Sequence, residues 1–271
     1  MGRIGRSFQL VGQSYRILMQ DKELMVLPLI SGGFIVAALA VLFGVSFGFG
    51  LDPSRVDRHG VGTYVPLFVM YVVTYTIGIF FQAAVVAGAT ERMRGGDPTV
   101  RSALAAAASR IGPILMWAMV SATVGVLLRV IQDRFAFVGR IVASLLGAAW
   151  SLATFFVVPV LVLEDRSIPD SFRRSVSVFR ATWGETVVGG TTLAAAAVVA
   201  WVTLVAITGL TAMALGVVAL AVFAVGAVFL MVLFSALQGV YVASLYRFAT
   251  DGAAPGLDPT LMGQAFVPKK R

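Results

Sequence analysis

The sequence predicts an all-α polytopic membrane protein with six transmembrane helices. Three observations carry that prediction. Charge is scarce: 59% of the residues are hydrophobic and 13% are charged, with a mean hydropathy of +0.92, where a soluble domain carries about 25% charged residues. The charges that exist are bunched, leaving long stretches without any. Lysine and arginine are also distributed unevenly between alternate connections.

The charge-free runs define the elements in order. Leu24–Leu51 holds 28 residues without Asp, Glu, Lys or Arg, Gly60–Thr90 holds 31, Ile111–Leu128 holds 18, and Ile141–Leu163 holds 23. A helix needs about 20 residues at ~1.5 Å each to cross a ~30 Å hydrocarbon core, so each run supplies one span. Thr186–Tyr246 is a single uncharged run of 61 residues. It reads as two spans joined by a tight turn at Thr208-Gly209-Leu210-Thr211. Strands of a membrane barrel would be ~10 residues long and alternate strictly, and these runs do neither. The first apolar run exceeds the 7–15 residues of a signal-peptide core and further spans follow it, so no cleavable leader is expected.

Six spans place the N-terminus, the 2–3 connection, the 4–5 connection and the C-terminus on one side. Of the 21 Lys and Arg residues, 16 fall on that side and 5 on the other. The positive-inside rule then puts both termini in the cytoplasm. The same asymmetry accounts for the net charge of +8 without recourse to nucleic acid, which is excluded as a partner.

Three amphipathic segments on the cytoplasmic side read as helices lying in the interface. In SFRRSVSVFRATWGE, Ile168, Phe172, Val176, Phe179 and Trp183 form an apolar stripe. Arg173, Arg174 and Arg180 lie off it, and Ser167 with Asp170 marks a helix start. Near the beginning, Ile4, Phe8, Val11, Tyr15 and Leu18 form a second stripe avoided by Arg6 and Arg16. In DPTVRSALAAAASRIG, Asp97 is the expected cap and Pro98 the first helical residue. Val100, Leu104, Ala107 or Ala108 and Ile111 form its stripe, with Arg101 and Arg110 beside it. The lipid-interface candidates are therefore Arg6, Arg16, Arg101, Arg110, Phe172, Arg173, Arg174, Phe179, Arg180 and Trp183. Each segment precedes two spans, which suggests three repeats within one membrane domain, at 1–90, 97–165 and 168–250, followed by a cytoplasmic tail at 251–271.

The stretch TFFVVPVLVLEDRSIPDSFRRSVSVFRATWGETVVGG, together with RSFQLVGQSYRILMQDKELMVLPLIS and ERMRGGDPTVRSALAAAASRIGPI, resembles an uncharacterised family of prokaryotic six-span membrane proteins. More distantly it is similar to the membrane region attached to some glycerophosphodiester phosphodiesterases. The resemblance covers most of the chain and implies no catalytic residues.

Side chains for chemistry are few. The chain has no cysteine and one histidine, His59 in DPSRVDRHG. Glu164 and Asp165 abut Arg166 where the fourth run ends. Apart from tyrosines the runs hold no ionisable group, which argues against proton-coupled transport and intramembrane hydrolysis. Gln82 and Gln238 are the polar intramembrane candidates, as interhelical hydrogen-bond partners or as the lining of a polar path. Small residues four apart at Gly44/Gly48, Ala84/Gly88 and Ser235/Gly239/Ala243 would permit close helix contact. No catalytic residue, metal site or cofactor is expected.

These features favour a non-enzymatic membrane protein that organises the membrane, handles lipids or scaffolds partners. An oligomeric channel or passive transporter is the alternative, and a lipid-metabolising enzyme using His59, Glu164 or Asp165 is a third reading. The expected partners are membrane lipids, anionic ones first, and a second copy or another membrane protein.

Overall fold

The computed structural model describes Gly12, residues 14–48 and residues 61–251. Among the described residues there is no strand. Helix α1 (residues 14–20) leads through a 3-10 turn, Lys22–Met25, into α2 (Val26–Gly48). There follow α3 (Val61–Met93), the short α4 (Val100–Ala108), α5 (Ile111–Arg134), α6 (Ala136–Ala153), the short α7 (Val157–Leu163), α8 (Ile168–Leu215) and α9 (Val217–Asp251). Six stretches are long and apolar enough to cross a membrane: Lys22–Val45, Tyr64–Met93, Ile111–Arg134, Phe137–Leu163, Thr186–Ala212 and Val217–Arg247. The chain is a six-span, all-α membrane protein.

Prolines open several of these helices. Pro113, Pro159 and Pro169 fall within the first three residues of α5, α7 and α8, where a missing N–H removes no intrahelical bond. Ser167 caps α8 as its sequence indicates, its hydroxyl accepting from the Asp170 N–H at 3.3 Å. At α4 the cap lies two residues beyond the expected Asp97. The Ser102 N–H donates to Thr99 Oγ1 at 3.0 Å, and the Thr99 N–H donates to Ser102 Oγ at 3.0 Å. This is a reciprocal capping box in which serine takes the usual place of glutamate. Asp97 is released to pair with Arg92 at 2.9 Å.

The last two spans turn elsewhere than the sequence suggests. Thr208 and Thr211 do not break the helix: their hydroxyls donate back to the carbonyls of Leu204 and Ile207 at 2.7 and 2.8 Å, a bonding pattern open to Ser and Thr inside helices. Reversal comes at Gly216, with φ +51°, where a residue without Cβ takes the left-handed conformation without strain. A Cβ on Gly226 would lie 2.6 Å from Leu204, and one on Gly189 would lie 1.8 Å from the Tyr241 hydroxyl. Both contacts are symmetric about the turn, as an antiparallel hairpin requires.

SFRRSVSVFRATWGE is not a separate helix. It is the N-terminal third of α8, continuous with the fifth span. The face it buries against the rest of the protein is not the apolar stripe. Ser171, Ser175, Val178, Thr182 and Thr186 are buried, Ile168, Phe172, Val176 and Phe179 are half-buried, and Trp183 is 64% exposed. In α1 the two described stripe residues part company: Leu18 is buried, with Ser14 and Ile17, while Tyr15 is exposed. In α4, Ala103 and Ala107 are buried, Val100 and Leu104 are half-buried, and Ile111 beyond its end is exposed. The predicted stripe residues Ile4, Phe8 and Val11 lie outside the described residues.

Ser175 explains a feature of the fourth span, which is interrupted at 154–156 between α6 and α7. The Phe156 N–H donates to Ser175 Oγ at 3.1 Å, and the Ser175 hydroxyl donates to the Ala153 carbonyl at 2.7 Å. One hydroxyl therefore satisfies both sides of the break, in a setting where no bulk water can. Around it Trp117 stacks on Trp150 at 5.6 Å, and Trp150 on Phe172 at 5.7 Å. Val157 and Leu161 complete this apolar cluster.

By compactness the chain divides into two units. One takes the described residues of Met1–Leu29, Val85–Ala103 and Val178–Arg271; the other takes Ile30–Ala84 and Leu104–Ser177. The first holds the α8–α9 hairpin and the charged junction of α3 with α4. The second holds the α5–α6 hairpin, the interrupted span and most of α2 and α3.

Ser175→Ala leaves the Phe156 N–H and Ala153 carbonyl without that bridge, and should lower unfolding free energy in SDS titration by about 1–3 kcal/mol. Ser177→Ala, on the exposed side of the same helix, should change it by no more than about 0.5 kcal/mol.

Candidate functional site

Within the second unit, α2, α3 and α5 wall an open-sided groove of about 1000 Å³. Leu39, Leu42, Phe43 and Val45 come from the second half of α2, and the stretch from Tyr64 to Tyr71 comes from the first half of α3. Arg129 and Asp133, from the last turns of α5, supply the only charges among its described lining residues. Aliphatic and aromatic groups thus line the length of the groove, and an ion pair stands at one end of it.

Local sequence positions these walls. Tyr71 and Tyr75, one helical turn apart, stack with ring centroids 5.5 Å apart. They lie against Gly125 of α5, where a Cβ would come within 3.0 Å of the Tyr71 ring, so a small residue is what lets α5 approach. Pro66 sits inside the first turns of α3 and has no N–H to give the preceding turn. The Tyr64 hydroxyl, also on the groove, is buried without a hydrogen-bond partner among the described residues. The Arg129 Nε lies 3.2 Å from Asp133 Oδ2, leaving the terminal guanidinium nitrogens outside that contact. Such an arrangement can receive an amphiphile, with apolar chains along α2 and α3 and a polar head at Arg129 and Asp133. Sequence reasoning missed the pair because Arg129 and Asp133 flank an uncharged run and read as the loop side of a span. The available signal was an Arg and an Asp four residues apart on one helix.

The sequence-predicted residues lie elsewhere. In the first unit, Arg92 grips Asp21 through two nitrogens and also reaches Asp97. Asp21 is only 6% exposed. Ser102 donates to Glu91 at 3.1 Å and the Val100 N–H donates to Glu23 at 3.1 Å, so α4 is tied to both neighbouring junctions. In the second unit Arg110 pairs with Asp165, and Glu164 pairs with Arg166 and with Arg174 at 3.3 Å. Glu164 and Asp165 are thus ion-paired at the end of α7. Arg16, Arg101, Arg173 and Arg180 are exposed. Arg6 and His59 lie outside the described residues.

Gln82 is half-buried and Gln238 exposed. Of the small-residue steps, Ala84, Gly88, Gly239 and Ala243 are buried, Gly239 with its Cβ position 2.5 Å from Val85. Gly44 and Ser235 face open space or are exposed. No group of three or more His, Cys, Asp or Glu suited to a metal occurs among the described residues.

A family model described as a family of unknown function, DUF6159, matches residues 61–256. No curated protein matches the chain. No solved structure matches it either. Nothing in these comparisons ties the chain to glycerophosphodiester phosphodiesterases, so the distant likeness read from the sequence is set aside.

Asp21→Asn strands the Arg92 guanidinium beside a buried neutral group, and should cost about 1–3 kcal/mol in chemical unfolding. Asp21→Asn with Arg92→Gln should cost less than the two single changes summed, whereas strict additivity would show that the pair is not coupled.

Proposed function

The chain belongs to the DUF6159 family of unknown function, and on the geometry above we propose that it is a non-enzymatic, lipid-handling membrane protein. Its groove between α2, α3 and α5 holds a membrane lipid. The observation that carries this reading is an apolar groove of about 1000 Å³ at membrane depth that ends on one ion pair. A volume of that size falls at the upper end of ordinary ligand sites, about 300–1,000 Å³. The 16-to-5 split of Lys and Arg supports placing both termini in the cytoplasm. The groove then opens toward the outer leaflet.

The arginines at the other end support a second lipid contact. Arg173 is 80% exposed and Arg180 is exposed. Near an anionic leaflet each is worth about 1 kcal/mol at low ionic strength. Glu164 and Asp165, the carboxylates an enzymatic reading would use, are ion-paired with arginines. The interruption of the fourth span offers little to a transported ion, since Ser175 already bonds the Ala153 carbonyl and the Phe156 N–H.

Native mass spectrometry from lipid nanodiscs tests the groove. The wild type should retain one lipid per chain after detergent release, as should Val202→Trp, which alters an exposed site on α8. Leu42→Trp and Val69→Trp, which fill the groove, should lose it. Equal lipid retention by all four proteins would contradict the reading.

A further inference from the structure

Resting on that reading, we infer that the groove selects a phospholipid whose head group carries both a phosphate and a primary ammonium, that is, an ethanolamine-type lipid. The polar groups lining the groove are placed for such a head. Arg129 and Asp133 are one helical turn apart on α5 and 3.2 Å from contact to contact. Their Cβ atoms are about 5–6 Å apart by helix geometry, a spacing that a phosphate and an ammonium joined by a two-carbon linker can match. Arg129 uses Nε toward Asp133, and its outer nitrogens are suited to phosphate oxygens. The Asp133 carboxylate, 24% exposed, is an acceptor for ammonium N–H groups.

Helix stability does not account for this pair. An acidic side chain in the last turn of a helix opposes the macrodipole, and an acid preceding a base is the better order. Here the order is reversed, with Arg129 first and Asp133 beside the C-terminal residue Arg134. A ligand ammonium at Asp133 would supply the compensation the helix lacks. An anionic head such as phosphatidylglycerol would meet Arg129 but also the Asp133 carboxylate. A choline head brings a cation with no N–H to donate. The Tyr64 hydroxyl, which has no hydrogen-bond partner among the described residues and belongs to a residue lining the same groove, is a donor suited to an acyl ester carbonyl below the head group.

The experiment is lipid competition in nanodiscs containing equal parts of phosphatidylethanolamine, phosphatidylglycerol and phosphatidylcholine, read by native mass spectrometry. The wild type should be enriched in the ethanolamine lipid over both others. Asp133→Asn should lose about tenfold of the preference for ethanolamine over glycerol heads. Asp133→Glu should restore most of it. Arg129→Gln should lower retention of all three phospholipids, and Arg140→Gln at the same end should change neither quantity. Helicity by circular dichroism checks that each variant is folded. Retention without head-group preference, or a preference that Asp133→Asn leaves intact, overturns this inference while the groove still holds lipid. If no lipid of any class is retained, both this inference and the lipid-handling reading fall.

Discussion

In a bilayer no water is available to satisfy a backbone group left without a partner, and the rest of this structure follows from that constraint. It makes the spans helical, and it makes every departure from helix depend on a nearby polar atom. At 154–156 the chain leaves α6 and re-enters helix as α7, and Ser175 bonds both the Ala153 carbonyl and the Phe156 N–H. At Gly216 the reversal is confined to one residue, with the Gly216 N–H still bonded to the Ala212 carbonyl at 2.8 Å. The long hydroxyl-rich hairpin of α8 and α9 satisfies its threonines against the preceding turn of their own helix.

The same solvent weakens the usual rule for what packs inside. Lipid tails are as apolar as leucine, so burying large apolar groups between helices gains little, whereas small residues allow close approach. On α8 the residues turned inward are Ser171, Ser175, Val178, Thr182 and Thr186, while Trp183 is 64% exposed. At Gly189 and Gly226 of the hairpin, glycine makes room for Tyr241 and Leu204. Against that background the α2–α3–α5 groove stands out, because there large side chains line open space. Closing it would require the small-residue seam that exists at Gly125 but not at Gly44, which has nothing near its Cβ position. On the lipid-handling reading proposed above, that open space is where the lipid sits.

The sequence made the six spans legible because charge-free length is a direct readout of bilayer thickness. Ser167 as a helix cap was legible too, its serine and the Asp170 three residues on forming a local motif. What failed did so for identifiable reasons. Thr208 to Thr211 looked like a turn by residue type, but threonine hydroxyls within a helix bond the preceding turn. SFRRSVSVFRATWGE was read as a helix of its own because its stripe and cap are local, whereas its continuation into the fifth span as α8 is not marked by any break in the sequence. Asp97 was read as a cap because a long-range partner, Arg92, does not show in local sequence. Arg129 and Asp133 were visible residues without visible context, since only the fold brings α2 and the first half of α3 beside them.

The most direct test of the account is photo-crosslinking in liposomes with a phospholipid carrying a diazirine at mid-chain, followed by peptide mapping. If the groove holds a lipid, label should concentrate on Leu39–Phe43 and Val65–Met70. It should saturate there at a lower probe fraction than on Val198–Val205, an apolar face at least as exposed. Label distributed over these segments simply in proportion to their exposure, with no early saturation, would contradict a lipid site between α2, α3 and α5.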